Sequence, residues 1–183
     1  MKSPLFQEGR YTHARQMPSQ NCDARPSGQA IELVVLHNIS LPPDEFRGEA
    51  VEQFFCNSLD FDAHPWFDQI RGLKVSSHFY LKRDGQLIQF VPVDMRAWHA
   101  GESCWRGRTA CNDFSLGIEL QGSDHEPFEA VQYQRLNQLL LDLYQAYPTL
   151  CDVAGHSDIA PGRKTDPGPH FDWDRVTRPE QAT

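Results

Sequence analysis

Hydrophobic positions along the chain fall into a few short runs with distinct periods. Glu32–His37, ELVVLH, is an unbroken β-branched and leucine run that reads as a buried central strand. The ISLPP that follows is a loop, because consecutive prolines cannot join a ladder. From Glu49 to Leu59, apolar side chains at Val51, Phe54, Phe55 and Leu59 recur at helical spacing and predict a helix with one buried face. Residues 60–75, interrupted by Pro65 and Gly72, read as a long loop, a kind of segment that is often functional. In SSHFYLKRDGQLIQFVP, two apolar stretches flank Asp84-Gly85 and predict a hairpin with a tight turn at that dipeptide.

Residues 92–114 show no period. In SLGIELQG, Leu116, Ile118 and Leu120 alternate with Ser115, Gly117, Glu119 and Gln121, which predicts a strand with Glu119 on the polar face. Phe128–Tyr147 is the best helix, with Leu136, Leu139, Leu140, Leu143 and Tyr147 in a core-facing stripe and Pro148 ending it. The short apolar segment Asp152–Ala154 leads into GHSDIAPGRKTDPGPHFDW, whose glycines and prolines read as an ordered loop, and FDWDRV opens a short last helix. Residues 1–30, rich in Pro, Gly, Ser and Arg, read as an extended arm packed on the rest. Strands and helices mix without strict βαβ alternation. The expected fold class is mixed α/β, a central sheet flanked by helices, in one domain spanning residues 1–183.

Composition narrows the class. At 183 residues, with 39% hydrophobic and 23% charged residues, the chain has the make-up of a globular domain with its own core. No apolar run approaches the roughly 20 residues that span a bilayer. The opening MKSPLFQEGRYTHARQMPSQ lacks the apolar stretch of a secretory signal, so a cytoplasmic protein is expected. A formal net charge of −8 argues against nucleic acid or a membrane surface as partner, and no obligate protein partner is inferred. A local cationic cleft stays open, since basic residues cluster at Arg71–Lys74, Arg96, Arg106–Arg108 and Arg163–Lys164. The five cysteines are scattered, odd in number and without a CxxC pair, and read as free thiols in a reducing compartment.

Among chemistry-bearing residues, His37 closes the first strand while His156 and Asp166 sit in the Gly/Pro-rich loop. A zinc ion with three such ligands and one open position can activate water and polarise a carbonyl. Each has a plain structural alternative. On spacing alone the ligand signal is weak, since eight histidines allow many accidental triples. His37 reads first as a core-edge histidine bonded to backbone, and His156 and Asp166 as capping or turn residues. Glu119 reads as a solvated charge and Lys164 as a surface lysine. His13, His64 and His125 carry only this structural reading.

Five motifs then occur in order: LHNISLPP at 36–43, VSSHFYLKRDG at 75–85, RAWHAG at 96–101, CNDFSLGIEL at 111–120 and GHSDIAPGRKTDPGP at 155–169. Together they closely resemble the 1,6-anhydro-N-acetylmuramyl-L-alanine amidases, the cytoplasmic AmpD type, from about residue 15 to residue 175. The resemblance implies the mixed-sheet fold of T7-type lysozyme amidases and peptidoglycan recognition proteins. It implies one zinc bound by His37, His156 and Asp166, the carboxylate ligand matching the AmpD branch where related proteins often carry Cys. It implies Glu119 and Lys164 as catalytic residues, Glu119 handling the proton and Lys164 stabilising the oxyanion. Phage relatives carry a tyrosine at the position of Ser77, which leaves the proton chemistry to Glu119.

The implied substrate is an anhydromuramyl sugar on an acidic peptide. Arg108 and Lys74 are candidates for its carboxylates, although Lys74 stands where the family favours Arg and cannot form the same bidentate fork. Asn38 is a candidate hydrogen-bonding group. Trp98 and His99 either line the cleft or support it from behind. The implied function is hydrolysis of the lactyl–L-Ala amide bond of anhydromuropeptides in cytoplasmic cell-wall recycling, with a consequence for β-lactamase regulation in bacteria that have an inducible enzyme. Two alternatives are a non-catalytic muropeptide-binding module of the same fold and a secreted autolysin. The filled ligand and catalytic positions favour the enzyme over the first, and the missing signal stretch speaks against the second.

Overall fold

The computed structural model describes residues 5–179. Short strands come first: β1 (Phe6–Gln7) and β2 (Arg10–Tyr11) pair with each other, β3 (Arg15–Gln16) joins the edge of the main sheet, and β4 (Cys22–Ala24) pairs with residues 95–97. β5 (Leu33–Ile39), α1 (Ala50–Phe55), β6 (Phe79–Leu81), β7 (Leu87–Gln89) and β8 (Met95–Ala97) follow. The small β9 (Cys104–Trp105) and β10 (Arg108–Thr109) pair precedes β11 (Ser115–Gln121), α2 (Ala130–Ala146), β12 (Asp152–Gly155) and the one-turn α3 (His156–Ile159).

The main sheet has six strands in the order β12-β5-β11-β6-β7-β3. β5 runs parallel to β11 and β12, β11 parallel to β6, and β6 antiparallel to β7, so the sheet is mixed. This is the mixed α/β class that the pattern implies. Register sets His37 beside Glu119, and Glu119 beside Tyr80.

One face of the sheet packs under α2. Val34, Leu36, Leu116, Ile118, Leu120, Phe79 and Leu81 meet Leu136, Leu139, Leu140 and Leu143 in a single core cluster. Alternation puts His37, Glu119 and Tyr80 on the other face, where Phe54 and Phe55 of α1 pack with Tyr80. All of β11 is therefore buried, and Glu119 is only 8% exposed. This corrects the reading of Glu119 as a solvated charge: a parallel strand flanked on both sides is covered on both faces.

Several local features differ from the periodic reading. The first helix stops at Phe55, short of the expected Leu59. Asn57 takes a left-handed φ of 58°, Ser58 N–H donates to Gln53 O at 2.8 Å and Asn57 N–H to Phe54 O at 3.1 Å, a Schellman stop that returns Leu59 to the core without helix. In the hairpin only Gly85 has positive φ, at 85°, and its N–H donates to Lys82 O at 3.0 Å. The loop thus includes Arg83 as well, a turn followed by a left-handed glycine rather than a two-residue turn. The expected 60–75 loop contains a 3-10 helix over Pro65–Ile70, and the expected loop after β12 opens with α3. The short last helix is a 3-10 turn, Trp173–Arg175.

Candidate metal centre and its cleft

Parallel strands β5, β11 and β12 bring their C-terminal ends to one edge, the usual place for a site in such sheets. His37 lies near the end of β5, Glu119 near the end of β11, and His156 directly after β12. Asp166 returns to them on the Gly/Pro-rich loop, where Ser157 N–H donates to Asp166 O at 2.9 Å. His37 Nδ1, His156 Nδ1 and Asp166 Oδ2 form a triangle with every side 3.0 Å. Among the described residues this trio is the one group of ligand-type side chains arranged to hold a metal ion.

The protons around the triangle fit that use. His156 Nε2 faces the carbonyl of Ala100 at 3.0 Å, which can only accept, so in the neutral ring Nδ1 carries a lone pair. His37 is held neutral by burial, its pKa lowered to about 4. Its Nε2 lies 2.9 Å from His99 Nδ1, and His99 Nε2 lies 3.2 Å from Ser115 Oγ. With protons running outward along that chain, His37 Nδ1 also presents a lone pair. Burial alone would raise Asp166, but the two imidazoles against it hold it below the usual carboxylate range. Three electron-pair donors converging at 3.0 Å repel one another unless a cation lies between them, and two histidines with a carboxylate are a common zinc set.

Glu119 stands next to this centre. Its Oε1 is 4.0 Å from His37 Nδ1, while its buried Oε2 meets no hydrogen-bonding group among the described residues. Burial pushes its pKa well up, the Asp166 charge adds to this, and Lys164 opposes it. The trio and Glu119 line a cleft of about 470 Å³, whose walls also include Asn38, Trp98, Arg163 and Lys164. An apolar wall rises on one side through Phe54, Trp66, Ile70 and Leu73, the last 52% exposed.

The remaining sequence candidates divide. Asn38 is in the cleft wall, but its amide N–H groups already bond Asp124 Oδ1 at 2.8 Å and Pro167 O at 3.1 Å. His99 touches the cleft, yet both its ring nitrogens are engaged within the protein, so it backs His37 and has no polar group left for a substrate. Lys74 is exposed and lies between the lining residues Leu73 and Val75 without lining the cleft itself. Arg108 is also outside the walls, paired with Glu32 and stacked 4.0 Å from the Phe114 ring centroid. Ser77 is fully buried and outside the cleft walls. Of the basic clusters, Arg71 pairs with Asp62 and Asp68, Arg96 with Asp23 and Asp113, and Arg106 with Asp152. The pair in the cleft is Arg163–Lys164. Arg163 escaped the reading of single positions, and its place beside Lys164 in GRKTD was the available signal.

Fold and site together define an amidase-type hydrolase. A family model described as N-acetylmuramoyl-L-alanine amidase matches residues 27–169, and the chain belongs to that family. Its relatives include the AmpD amidases. Over 172 residues it is 49% identical to the 1,6-anhydro-N-acetylmuramyl-L-alanine amidase AmpD of Enterobacter cloacae, covering 93% of this chain and 92% of that one. The crystal structure of a Se-Met AmpD derivative matches with a TM-score of 0.91 at 48% identity, covering 94% of this chain and 99% of that chain. The amidase AmiD from Escherichia coli, in complex with the substrate anhydro-N-acetylmuramic acid-L-Ala-D-gamma-Glu-L-Lys, matches with a TM-score of 0.59 at 31% identity, covering 86% of this chain and 60% of that chain. The mixed-sheet fold and the amidase class implied by the five motifs are thus both found.

Proposed function

We propose that this chain hydrolyses the amide bond between the lactyl group of a 1,6-anhydro-N-acetylmuramyl peptide and its L-Ala, with one zinc ion per chain. The observation that carries the reading is the lone-pair triangle of His37, His156 and Asp166 beside the unpaired carboxyl oxygen of Glu119. Zinc held by those three residues would supply Lewis-acid polarisation of the scissile carbonyl and of the attacking water.

The chain's own groups then divide the rest of the work. Glu119, buried and raised in pKa, takes a proton from the attacking water and returns it to the departing alanine nitrogen. Lys164, in the cleft wall, offers positive charge to the developing oxyanion. Trp98 and the apolar residues of the wall offer the substrate a non-polar surface, and Asn38 ties Asp124 to the loop carrying Asp166. For the acidic peptide, Arg163 brings positive charge to the cleft wall, although Nη2 of its guanidinium already donates to Ala100 O at 2.7 Å and to Glu102 O at 2.5 Å. Lys74 lies exposed just beyond the wall, and Arg108 would have to leave Glu32 to reach a ligand. The five cysteines are free, which supports work in a reducing compartment, the cytoplasm, as part of wall recycling.

The test is to incubate the full chain with anhydromuramyl-tripeptide and follow peptide release by mass spectrometry. Cleavage at the lactyl–alanine bond, abolished by a chelator and restored by zinc, is the expected result. Binding without cleavage in protein that contains zinc would replace the enzyme with a muropeptide-binding module.

A further inference from the structure

Two of the five motifs, RAWHAG and CNDFSLGIEL, supply only part of their residues to the cleft, and Ala100, Asn112, Ser115 and Gly117 from them gather around His99 beside the metal centre. Asn112 Oδ1 accepts hydrogen bonds from the backbone N–H of both His99, at 3.2 Å, and Ala100, at 2.9 Å. From this pinned dipeptide, the His99 ring reaches His37 Nε2 at 2.9 Å and the Ala100 carbonyl reaches His156 Nε2 at 3.0 Å. One side-chain oxygen therefore pins the backbone of the partners of both histidines of the triangle, and Arg163 Nη2 adds a second hold on the Ala100 carbonyl at 2.7 Å. The seat is tight. Ser115 Oγ holds the far nitrogen of His99 at 3.2 Å, and a Cβ on Gly117 would stand 2.5 Å from His99 Cγ, so only glycine leaves room for the ring.

We propose that Asn112, acting through the His99–Ala100 dipeptide, is a positioning residue that sets the metal affinity of the His37/His156/Asp166 centre. The proposal rests on the metal reading above. Asn112 is not among the residues lining the cleft, so its effect is on ligand geometry and tautomer. Outer partners of metal-bound histidines typically govern affinity by about 10–100-fold. Loss of Asn112 Oδ1 frees both backbone N–H groups and leaves the dipeptide held through the His99 ring by Ser115 and through the Ala100 carbonyl by Arg163, so the partners of both imidazoles lose their common anchor.

The experiment titrates the zinc-loaded full chain with a competing chelator of known affinity and reads the zinc retained, with circular dichroism recorded on each variant. Asn112→Ala is expected to bind zinc about 10–100-fold more weakly than the wild type. Asn112→Asp keeps the accepting oxygen and should restore most of the affinity. Gly117→Ala, which crowds His99 without removing any hydrogen-bonding group, should weaken zinc as well, and it stands in for Asn112→Ala if that variant does not fold. Wild-type affinity in folded Asn112→Ala or Gly117→Ala would overturn the proposal while leaving the metal reading intact. A wild-type chain that retains no zinc would overturn both.

Discussion

Glu119 shows how one residue's chemistry is set by its surroundings. A carboxyl on a strand is ordinarily ionised and hydrated, but here it is buried, faces Asp166 and has one oxygen unpaired. A carboxyl whose pKa is raised in this way holds a proton more readily than an exposed one, which suits a group that must take up a proton and pass it on. Glu119→Gln should therefore keep one zinc per chain while kcat falls by about 10²–10⁴-fold. Metal analysis beside steady-state kinetics checks this, and an unimpaired kcat would remove Glu119 from the reaction. His78 is the contrasting case. Its Nδ1 accepts from Gly117 N–H at 3.0 Å and its Nε2 faces Met95 O at 3.0 Å, so the neutral ring ties β11 to β8. Burial, with the nearby Arg25 charge, lowers its pKa to about 3. An unfolded histidine titrates near ~6.5, so below that pH the unfolded chain binds the extra proton. Stability from this group is complete above pH ~6.5 and falls as the pH drops toward 3, with a limiting slope of about 1.4 kcal/mol per pH unit. Urea midpoints from pH ~6.5 to ~5, a window below the unfolded histidine pKa and above the ordinary carboxylate range, should fall less steeply in His78→Gln than in the wild type, with Glu119 common to both chains.

At the scale of elements, α2 does for stability what the strand ends do for chemistry. Its buried stripe covers the face of the sheet opposite the site, and Leu140 at its centre is 0% exposed. Leu140→Ala should destabilise the chain by about 2–5 kcal/mol through lost burial and a residual cavity. Because α2 lies across the sheet from the triangle, zinc content and kcat of the folded variant should stay at wild-type values. Thermal melts and metal analysis on the same sample separate the two effects. An equal loss of zinc would show that the two faces are coupled through the sheet.

Across the whole molecule, the N-terminal segment reaches the site's supports. Arg25, just beyond β4, donates to the backbone carbonyls of Asn112 at 3.1 Å, Asp113 at 3.0 Å, Ser115 at 2.8 Å and Val93 at 3.2 Å. These bonds hold the stretch leading into β11, which includes Asn112 and Ser115. Burial lowers the Arg25 pKa to about 10, still far above neutrality, so the guanidinium stays charged while it bonds these carbonyls. Charge-assisted bonds of this kind contribute more than neutral ones. Arg25→Met should cost on the order of 2–4 kcal/mol, since four part-buried carbonyls lose their charged donor at once. Chemical denaturation reads that loss directly, and a change under about 0.5 kcal/mol, the scatter of ordinary surface substitutions, would show the clamp to be redundant.

The sequence by itself determined the elements whose period is carried by their own residues. The leucine stripe of α2, the apolar run of β5 and the hairpin glycine each record a local physical requirement, and the five motifs carried the family. The ligand trio was legible as residue types, yet nothing in their spacing joins position 37 to position 156. That contact depends on β5 lying between β11 and β12, a pairing of segments distant along the chain. Tertiary structure alone decided that Glu119 is buried, because its covering comes from the second face of the sheet. It also decided that His99 turns both nitrogens inward, and that Arg108 pairs with Glu32 outside the cleft walls. Periodicity reports which side of an element is apolar. What meets the polar side is set by the partners that folding brings to it, and in this chain those partners make the site.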